Sequence, residues 1–318
     1  KKLVRRHNFE KVKLYDQPAH GACTMIRKDF LLKIGGYNEK IKRQDGFDLW
    51  VRFIEKYKVK NINLPLFYYR QHSASLTANE NKLLKTRSQI IKEAVKRKKI
   101  KLKKSLAIIP VRGFEINPNT IVMKKLKSKP LINWIIESCL SSKLIEKVLI
   151  ATSDKKIIKY LKKKYKNKIL IFKRDKKLGQ INYDLKKTIK QSINFAKKKK
   201  INFHYVVQLS FRSPYISAKD IETSINIMEI FGTDEVIGVR SETDRFYQHN
   251  GASLKILNDT SNLILEREEI YRETGGLRLI KSDYYKNKKN KKIGHTILSR
   301  RSSHNIKNDF DWKLAKIF

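Results

Sequence analysis

The chain has 318 residues, 40% of them hydrophobic, and 73 Lys and Arg against 30 Asp and Glu, for a formal charge of +43. That is enough apolar material for two cores, and no run approaches the roughly 18 apolar residues of a membrane span. Charge of this size ordinarily points to nucleic acid or an anionic surface. Here the excess is Lys scattered through every segment beside abundant Asn and Ile, without an aromatic-spaced basic stripe, so no specific nucleic-acid partner is expected. Lys1-Lys2-Leu3 opens no signal-like apolar stretch, and Cys23 and Cys139 stand in no metal or redox spacing. A truncated chain, in a reducing cytoplasm and without a membrane span, is the expectation.

In chain order, the first informative stretch is GACTMIRKDFLLKIGGYNEKIKRQDGFDLW, running on to YYRQHSASLT. Asp45 and Asp48 precede Leu49-Trp50. A carboxylate beside apolar anchors is a way to hold a general base at a pocket mouth, and Asp48 equally suits the cap of a helix running through Trp50 to Tyr57. Met25 to Arg27, GGYNE, QDGFDLW and YYRQHSASLT together resemble, in order and spacing, the C-terminal part of the inverting family 2 glycosyltransferases of GT-A fold, over residues 1–97. The resemblance implies sugar transfer from a nucleotide donor, with Asp45 at the catalytic-base position and Arg70 and His72 near the donor phosphates. The family's donor-binding half, which should come earlier, is missing from this sequence. Glycosyltransferase activity is therefore expected only of a longer chain.

Residues 1–78 are followed by a helix and basic linker over 79–104, where Leu83, Leu84, Ile90, Ile91 and Val95 share one face before the pattern decays into a Lys run. Residues 105–318 then alternate. SLAIIP predicts a strand, PLINWIIESCL a helix, EKVLIATSD a buried strand, Lys155 to Tyr165 a helix, KILIFK a strand, 185–199 a helix and FHYVVQLS a strand. The fold class this predicts is α/β, a mainly parallel Rossmann-like sheet flanked by helices. Ligands of such sheets bind at the carboxyl ends of the strands, in the loops after Ile109, Ile150 and Leu209.

IIPVRG, the KSKPLINWIIESCLSSKLIEKVLIATSD block, SPYISAKDI, DEVIGV, EIYRETGGLRLIK and NDFDWKLA keep their order over two hundred residues. This stretch resembles the cytidylyltransferases that activate sialic acid and related nonulosonic acids with CTP, the acylneuraminate synthetase type, with the nucleotide-diphospho-sugar transferase architecture. The resemblance implies attack of a sugar hydroxyl on the α-phosphate of CTP, usually with Mg2+. Its partners are CTP and an acidic sugar, and dimers are usual, so a homodimer is among the implied assemblies. Matching positions give Arg112 as catalytic, Arg112, Gly113, Lys124, Lys129 and Arg212 as nucleotide-binding, and Arg267 and Tyr271 as sugar-binding.

The departures are specific. Where the family carries two phosphate-facing lysines this chain has Ile116 and Ile121, and its Asn-Gly is Thr274-Gly275. The paired metal aspartates fall on Asn305 and Lys307, so Mg2+ is in doubt; a lysine there repels a cation and is placed to neutralise phosphate instead. Asp309 and Asp311 are read as the start of the final helix. Two functions follow: a cytidylyltransferase-like enzyme serving an adjoining glycosyltransferase in surface-glycan biosynthesis, or a catalytically degenerate domain that binds nucleotide, sugar or partner. A nucleic-acid-binding protein is the third, resting on charge alone.

Overall fold

A computed structural model describes residues 24–59, 79–180, 183–242, 244–257, 270–285 and 291–318. The chain divides into two compact units, one comprising Lys1–Lys99 and Ser241–Arg272, the other Ile100–Arg240 and Glu273–Phe318.

In the first unit, α1 (Lys28–Lys33), α2 (Asp45–Ile54) and α3 (Glu80–Arg97) are described. Asn79 caps α3, accepting from the Lys82 N–H, and the helix buries Ile90, Ile91, Ala94 and Val95. Leu83 and Leu84 lie on the same side but are only part-buried. The cap expected of Asp48 is not made. The N-cap of α2 is four residues earlier, at Gln44, which takes a left-handed conformation, φ 58°. Asp48 is therefore inside the helix, 1% exposed, and pairs with Arg52 one turn on at 2.8 Å. Arg52 also donates to the Ile34 carbonyl at 2.8 Å, which fixes the turn after α1 to α2.

The second unit is built on β1 (Ser105–Pro110), a small β2–β3 hairpin (Lys125–Leu126, Lys129–Pro130), α4 (Leu131–Ser141), β4 (Ile145–Thr152), α5 (Lys155–Tyr165), β5 (Ile169–Lys173), α6 (Leu185–Lys198), β6 (Tyr205–Leu209), α7 (Ala218–Phe231) and β7 (Glu235–Glu242). The short hairpin β8–β9 (Tyr247–His249, Leu254–Ile256) belongs to the first unit, and β10 (Ile270–Lys281), β11 (Ile293–Ile297) and α8 (Asp309–Ile317) complete the chain.

Among the described residues the sheet has seven strands in the order β11-β7-β10-β6-β1-β4-β5. β1 pairs in parallel with β4 and β6, β4 with β5, and β11 with β7, while β10 runs antiparallel to β6. The central strands are apolar on both faces, as strands covered by helices on both sides must be: Leu106, Ala107, Ile108 and Ile109 are fully buried, as are Val148 to Ala151. Steps from β1 to β4 and β4 to β5 run one way and the step to β6 runs back. Right-handed crossovers then put α4 and α5 on one face and α6 on the other. On the latter, Ile189, Ile193 and Ala196 of α6 pack on Leu106, Ile108, Leu149, Val206 and Ile280. Helix starts carry their own caps: Asp154 for α5, Asp184 for α6, and a reciprocal Ser217–Asp220 box for α7. No helix among the described residues is long and apolar enough to cross a membrane.

Candidate functional site

The loops leaving β1, β4 and β6 lie at the carboxyl ends of adjacent parallel strands. The first begins Val111-Arg112-Gly113. A Cβ on Gly113 would fall 2.1 Å from Asp154 Cβ and 2.3 Å from its Oδ2, so this position has no room for a side chain. Asp154 is 1% exposed and does two things. Its Oδ1 accepts from the Ile157 N–H at 3.0 Å, capping α5, and its Oδ2 accepts from the Phe114 N–H at 2.7 Å. One carboxylate thereby ties the β1 loop to the start of α5.

The rest of that loop closes on itself. The Ile116 and Asn117 N–H groups both donate to the Gly113 carbonyl, at 3.1 and 2.9 Å, and the Thr120 N–H donates to Asn117 O at 3.0 Å. Glu115 pairs with Lys176 at 2.8 Å, and that hydrogen bond holds the Glu115 carboxyl below its ordinary range. The Ile116 side chain lies against Gly179, where a Cβ would fall 2.2 Å from Ile116 Cδ1.

Beneath this loop sits Arg174, just after β5 and 3% exposed. Its Nη2 donates to the Val111 carbonyl at 2.9 Å and its Nη1, at 3.5 Å, to that of Leu178. Its Nε is buried with no partner among the described residues. Burial, and then the positive charge of Arg112, bring this guanidinium down to about 10, and it makes no ion pair among the described residues. Arg112 itself donates to the Gln180 carbonyl at 3.2 Å. The hydroxyls of Ser153, after β4, and Ser213, after β6, are likewise buried without a hydrogen-bond partner among the described residues. Polar groups left this way mark places where water or a ligand belongs.

Arg212 is held by a reciprocal pair of bonds to the C-terminal stretch. Its Nη1 donates to Ile306 O at 2.9 Å while its carbonyl accepts from the Ile306 N–H at 2.8 Å. Next to it, the Asn305 amide donates to Thr274 O at 3.3 Å. Lys307 is exposed, and its N–H donates to Asp311 Oδ2 at 2.8 Å. Asp311 and Asn308 form the capping box of α8, with Asn308 Oδ1 accepting from the Asp311 N–H at 2.9 Å. Asn308 is the N-cap and Asp311 its reciprocal partner. An amide already donating to a carbonyl, beside an ammonium, does not fit a divalent cation. Among the described residues no three His, Cys, Asp or Glu are grouped to hold one. Asp311→Ala is accordingly expected to cost about 1 kcal/mol as a lost cap, equally in Mg2+ and in EDTA. A cost in thermal unfolding that appears only with Mg2+ would return Asp311 to metal binding.

Arg112 and Gly113, after β1, and Arg174, after β5, are thus neighbours, and Arg212 follows β6, the strand beside β1. Lys124 and Lys129 each lie over an aromatic ring. The Lys124 ammonium lies 4.5 Å from the ring centre of Trp312, while Lys129 pairs with Glu137 and lies 4.2 Å from the ring of Trp134. In the first unit, Asp45 is exposed as the first residue of α2, and Tyr271 is 38% exposed at the start of β10. Arg70, His72 and Arg267 lie outside the described residues. Two site residues escaped sequence reading. Asp154 had a signal, an Asp between an apolar strand and a helical pattern; Arg174, in FKRDKK, had none that set it apart from its basic neighbours.

Residues 121–271 match the family model described as cytidylyltransferase. No curated protein matches the chain. Among solved structures, 4-diphosphocytidyl-2C-methyl-D-erythritol synthase from Anaerococcus prevotii is similar at 14% identity and a TM-score of 0.49, over 68% of this chain and 95% of that one. A CMP:2-keto-3-deoxy-manno-octonic acid synthetase complexed with CTP is similar at 12% identity and 0.47, over 67% and 97%. A second 4-diphosphocytidyl-2C-methyl-D-erythritol synthase gives 10% and 0.47, over 68% and 98%. Similarities this remote assign no substrate.

Proposed function

We propose that residues 105–318 form a cytidine-nucleotide-binding domain of cytidylyltransferase type, with an acidic sugar of the sialic or nonulosonic class as second ligand, serving surface-glycan biosynthesis with little or no turnover of its own. The observation that carries this is Arg174. A buried guanidinium beside a second arginine, with no ion pair among the described residues, is costly to hold in a folded chain, and its unpartnered Nε makes sense where a ligand supplies the acceptor. The cytidylyltransferase match over residues 121–271 supports a cytidine nucleotide as that ligand. Arg112 and Arg212 follow the adjacent strands β1 and β6, and they would bind and orient its phosphate through charge-assisted hydrogen bonds.

Binding is favoured over turnover by what surrounds them. Nucleotidyl transfer to a sugar hydroxyl expels pyrophosphate, and its charge must be neutralised as it develops. Each donor missing from such a site is worth on the order of 10² to 10³ in rate. Here isoleucines occupy two of the cation positions, and Asn305 and Lys307 do not fit the metal. Residues 1–97 are read alongside as part of a glycosyltransferase, with Asp45 as base and Arg70 and His72 in the donor-phosphate role that the resemblance implies; a homodimer is the expected assembly.

The test is to incubate the chain with CTP, Mg2+ and a panel of nonulosonic acids, measuring pyrophosphate release and, by calorimetry, binding. Release at background with cytidine-nucleotide binding retained is expected. Steady release that Arg112→Ala abolishes would make the domain an active synthetase.

A further inference from the structure

Resting on the acidic-sugar part of that reading, we infer that the domain carries a second surface, beside α6, that docks an acidic saccharide chain through its carboxylates. The sequence has no aromatic-spaced basic stripe, yet the fold assembles one. Tyr284 and Tyr285, which follow β10, pack against the cluster formed by Ile189 and Ile193 of α6. The ammoniums of Lys186 and Lys190, one turn apart on that helix, lie 5.5 and 5.8 Å from the centre of the Tyr285 ring. That of Lys291 lies 3.3 Å from the centre of the Tyr284 ring, and the two ring centres are 5.4 Å apart. Three ammoniums from segments distant in sequence therefore gather on one pair of rings.

The rings are fixed from below. The Tyr284 hydroxyl donates to Glu235, which is 1% exposed and also takes the Nε–H of Arg278. The Tyr285 hydroxyl accepts from Gln208 Nε2 at 3.2 Å. The charge of Glu235 is thus spent beneath the rings, and the other carboxylates close by are engaged as well. Asp184 caps α6 by accepting from the Lys186 N–H at 2.8 Å. Asp234, whose carboxyl also feels Lys291, accepts from Lys281 Nζ at 2.7 Å and from the Lys292 N–H at 3.0 Å. Lys291 gives one hydrogen to the Tyr284 carbonyl at 2.8 Å, and an ammonium carries three.

Stacking a nucleobase takes an open, flat ring face. Here ammoniums lie over the faces, and the two rings meet edge to face at 86°. The arrangement suits carboxylates strung along a flexible chain, each met by an ammonium whose stem a ring keeps in place. Like charges gathered this closely repel one another within the screening length of about 10 Å at 0.1 M salt, and a polyanion relieves that repulsion. A chain made of the same class of acidic sugar that the domain is proposed to bind supplies the carboxylates.

The test is titration of the full chain against labelled oligosialic acid, neutral dextran and poly(U), followed by fluorescence anisotropy at low and at high salt. Oligosialic acid is expected to bind, more weakly at high salt, and dextran not to bind. Lys186→Gln/Lys190→Gln/Lys291→Gln should weaken that binding about tenfold, the combined effect of three exposed ion pairs, while Lys197→Gln/Lys198→Gln/Lys200→Gln at the far end of α6 changes it by about twofold at most. Tyr285→Phe keeps the ring and should bind as the natural chain does; Tyr285→Leu removes it and should weaken binding. Equal losses in the two triple variants would assign the attraction to overall charge and overturn the inference, as would tighter binding of poly(U) through the same three lysines. Absence of oligosialic acid binding beside retained binding of CTP or CMP and of the free acidic sugar sinks this inference alone; absence of all of them sinks the proposed function with it. Should Tyr285→Leu fail to fold, the two lysine variants still decide.

Discussion

Gly113→Val is expected to leave the C-terminal unit without a stable fold, and Gly113→Ala to destabilise it by about 3 kcal/mol or more, the upper end for volume forced into a packed site. The reason is the identity of the neighbour. The new Cβ would meet Asp154 at its Cβ, Cγ and Oδ2, all within 2.5 Å. These are not the far end of a flexible chain that can swing aside. Asp154 is fixed on two sides, by the Ile157 N–H and the Phe114 N–H, and it is buried at the junction of β4 and α5. Moving it unseats a helix cap and leaves a loop N–H unpaired, each costing about 1 kcal/mol or more. Asp154→Gly removes the obstructing Cβ along with both bonds. The pair is therefore expected to be strongly non-additive: Gly113→Ala with Asp154→Gly should be more stable than the two single costs added together. Urea denaturation of the four proteins measures it. Gly113→Ala tolerated within about 0.5 kcal/mol, the usual size of a surface change, would show that the loop moves freely and would remove the steric account of Gly113.

Much of the second unit was legible because its signals are local. SLAIIP and EKVLIAT are short apolar runs bounded by turn residues, and Lys155–Tyr165 coincides with α5 because Asp154 is a cap and the lysine face is amphipathic. β10 was not foreseen as a strand. Its first half, IYRETGG, is polar with two glycines, and its second half, Leu277–Lys281, pairs antiparallel with β6, a partner far away in sequence. The same distinction runs through the site. Arg112 and Gly113 could be found from the strand that delivers them. That Lys124 lies over Trp312, or that Lys129 pairs with Glu137, depends on tertiary neighbours. Asp48 shows the limit in the first unit, since the start of α2 turns on a left-handed Gln44, a conformation glutamine rarely announces.

Arg174→Met should separate stability from binding in opposite directions. Between pH about 10 and the higher range where an arginine in an unfolded chain titrates, the unfolded chain holds a proton at this position that the folded chain has lost. Stability therefore rises with pH through that window, and at neutral pH, below both values, the full cost of the buried charge is present. Methionine has comparable length, no charge and no donors. It relieves that cost but leaves the Val111 and Leu178 carbonyls without the guanidinium, about 1 kcal/mol or more each if they stay dry. Replacing buried charge by apolar side chains is often neutral or stabilising by about 1 to 4 kcal/mol, so the variant should be unchanged or up to about 2 kcal/mol more stable. Its affinity for CMP should meanwhile fall by about tenfold or more, the loss of a charge-assisted contact. Added CMP should raise the melting temperature of the natural chain and not that of the variant, because only a ligand that engages the folded site stabilises it. A chain kept for structure would answer otherwise: Arg174→Met would lose about 3 kcal/mol or more while CMP still raised its melting temperature. That outcome would make the guanidinium a strut between the β1 and β5 loops, and the ligand site would have to be sought around Arg112 and Arg212 alone.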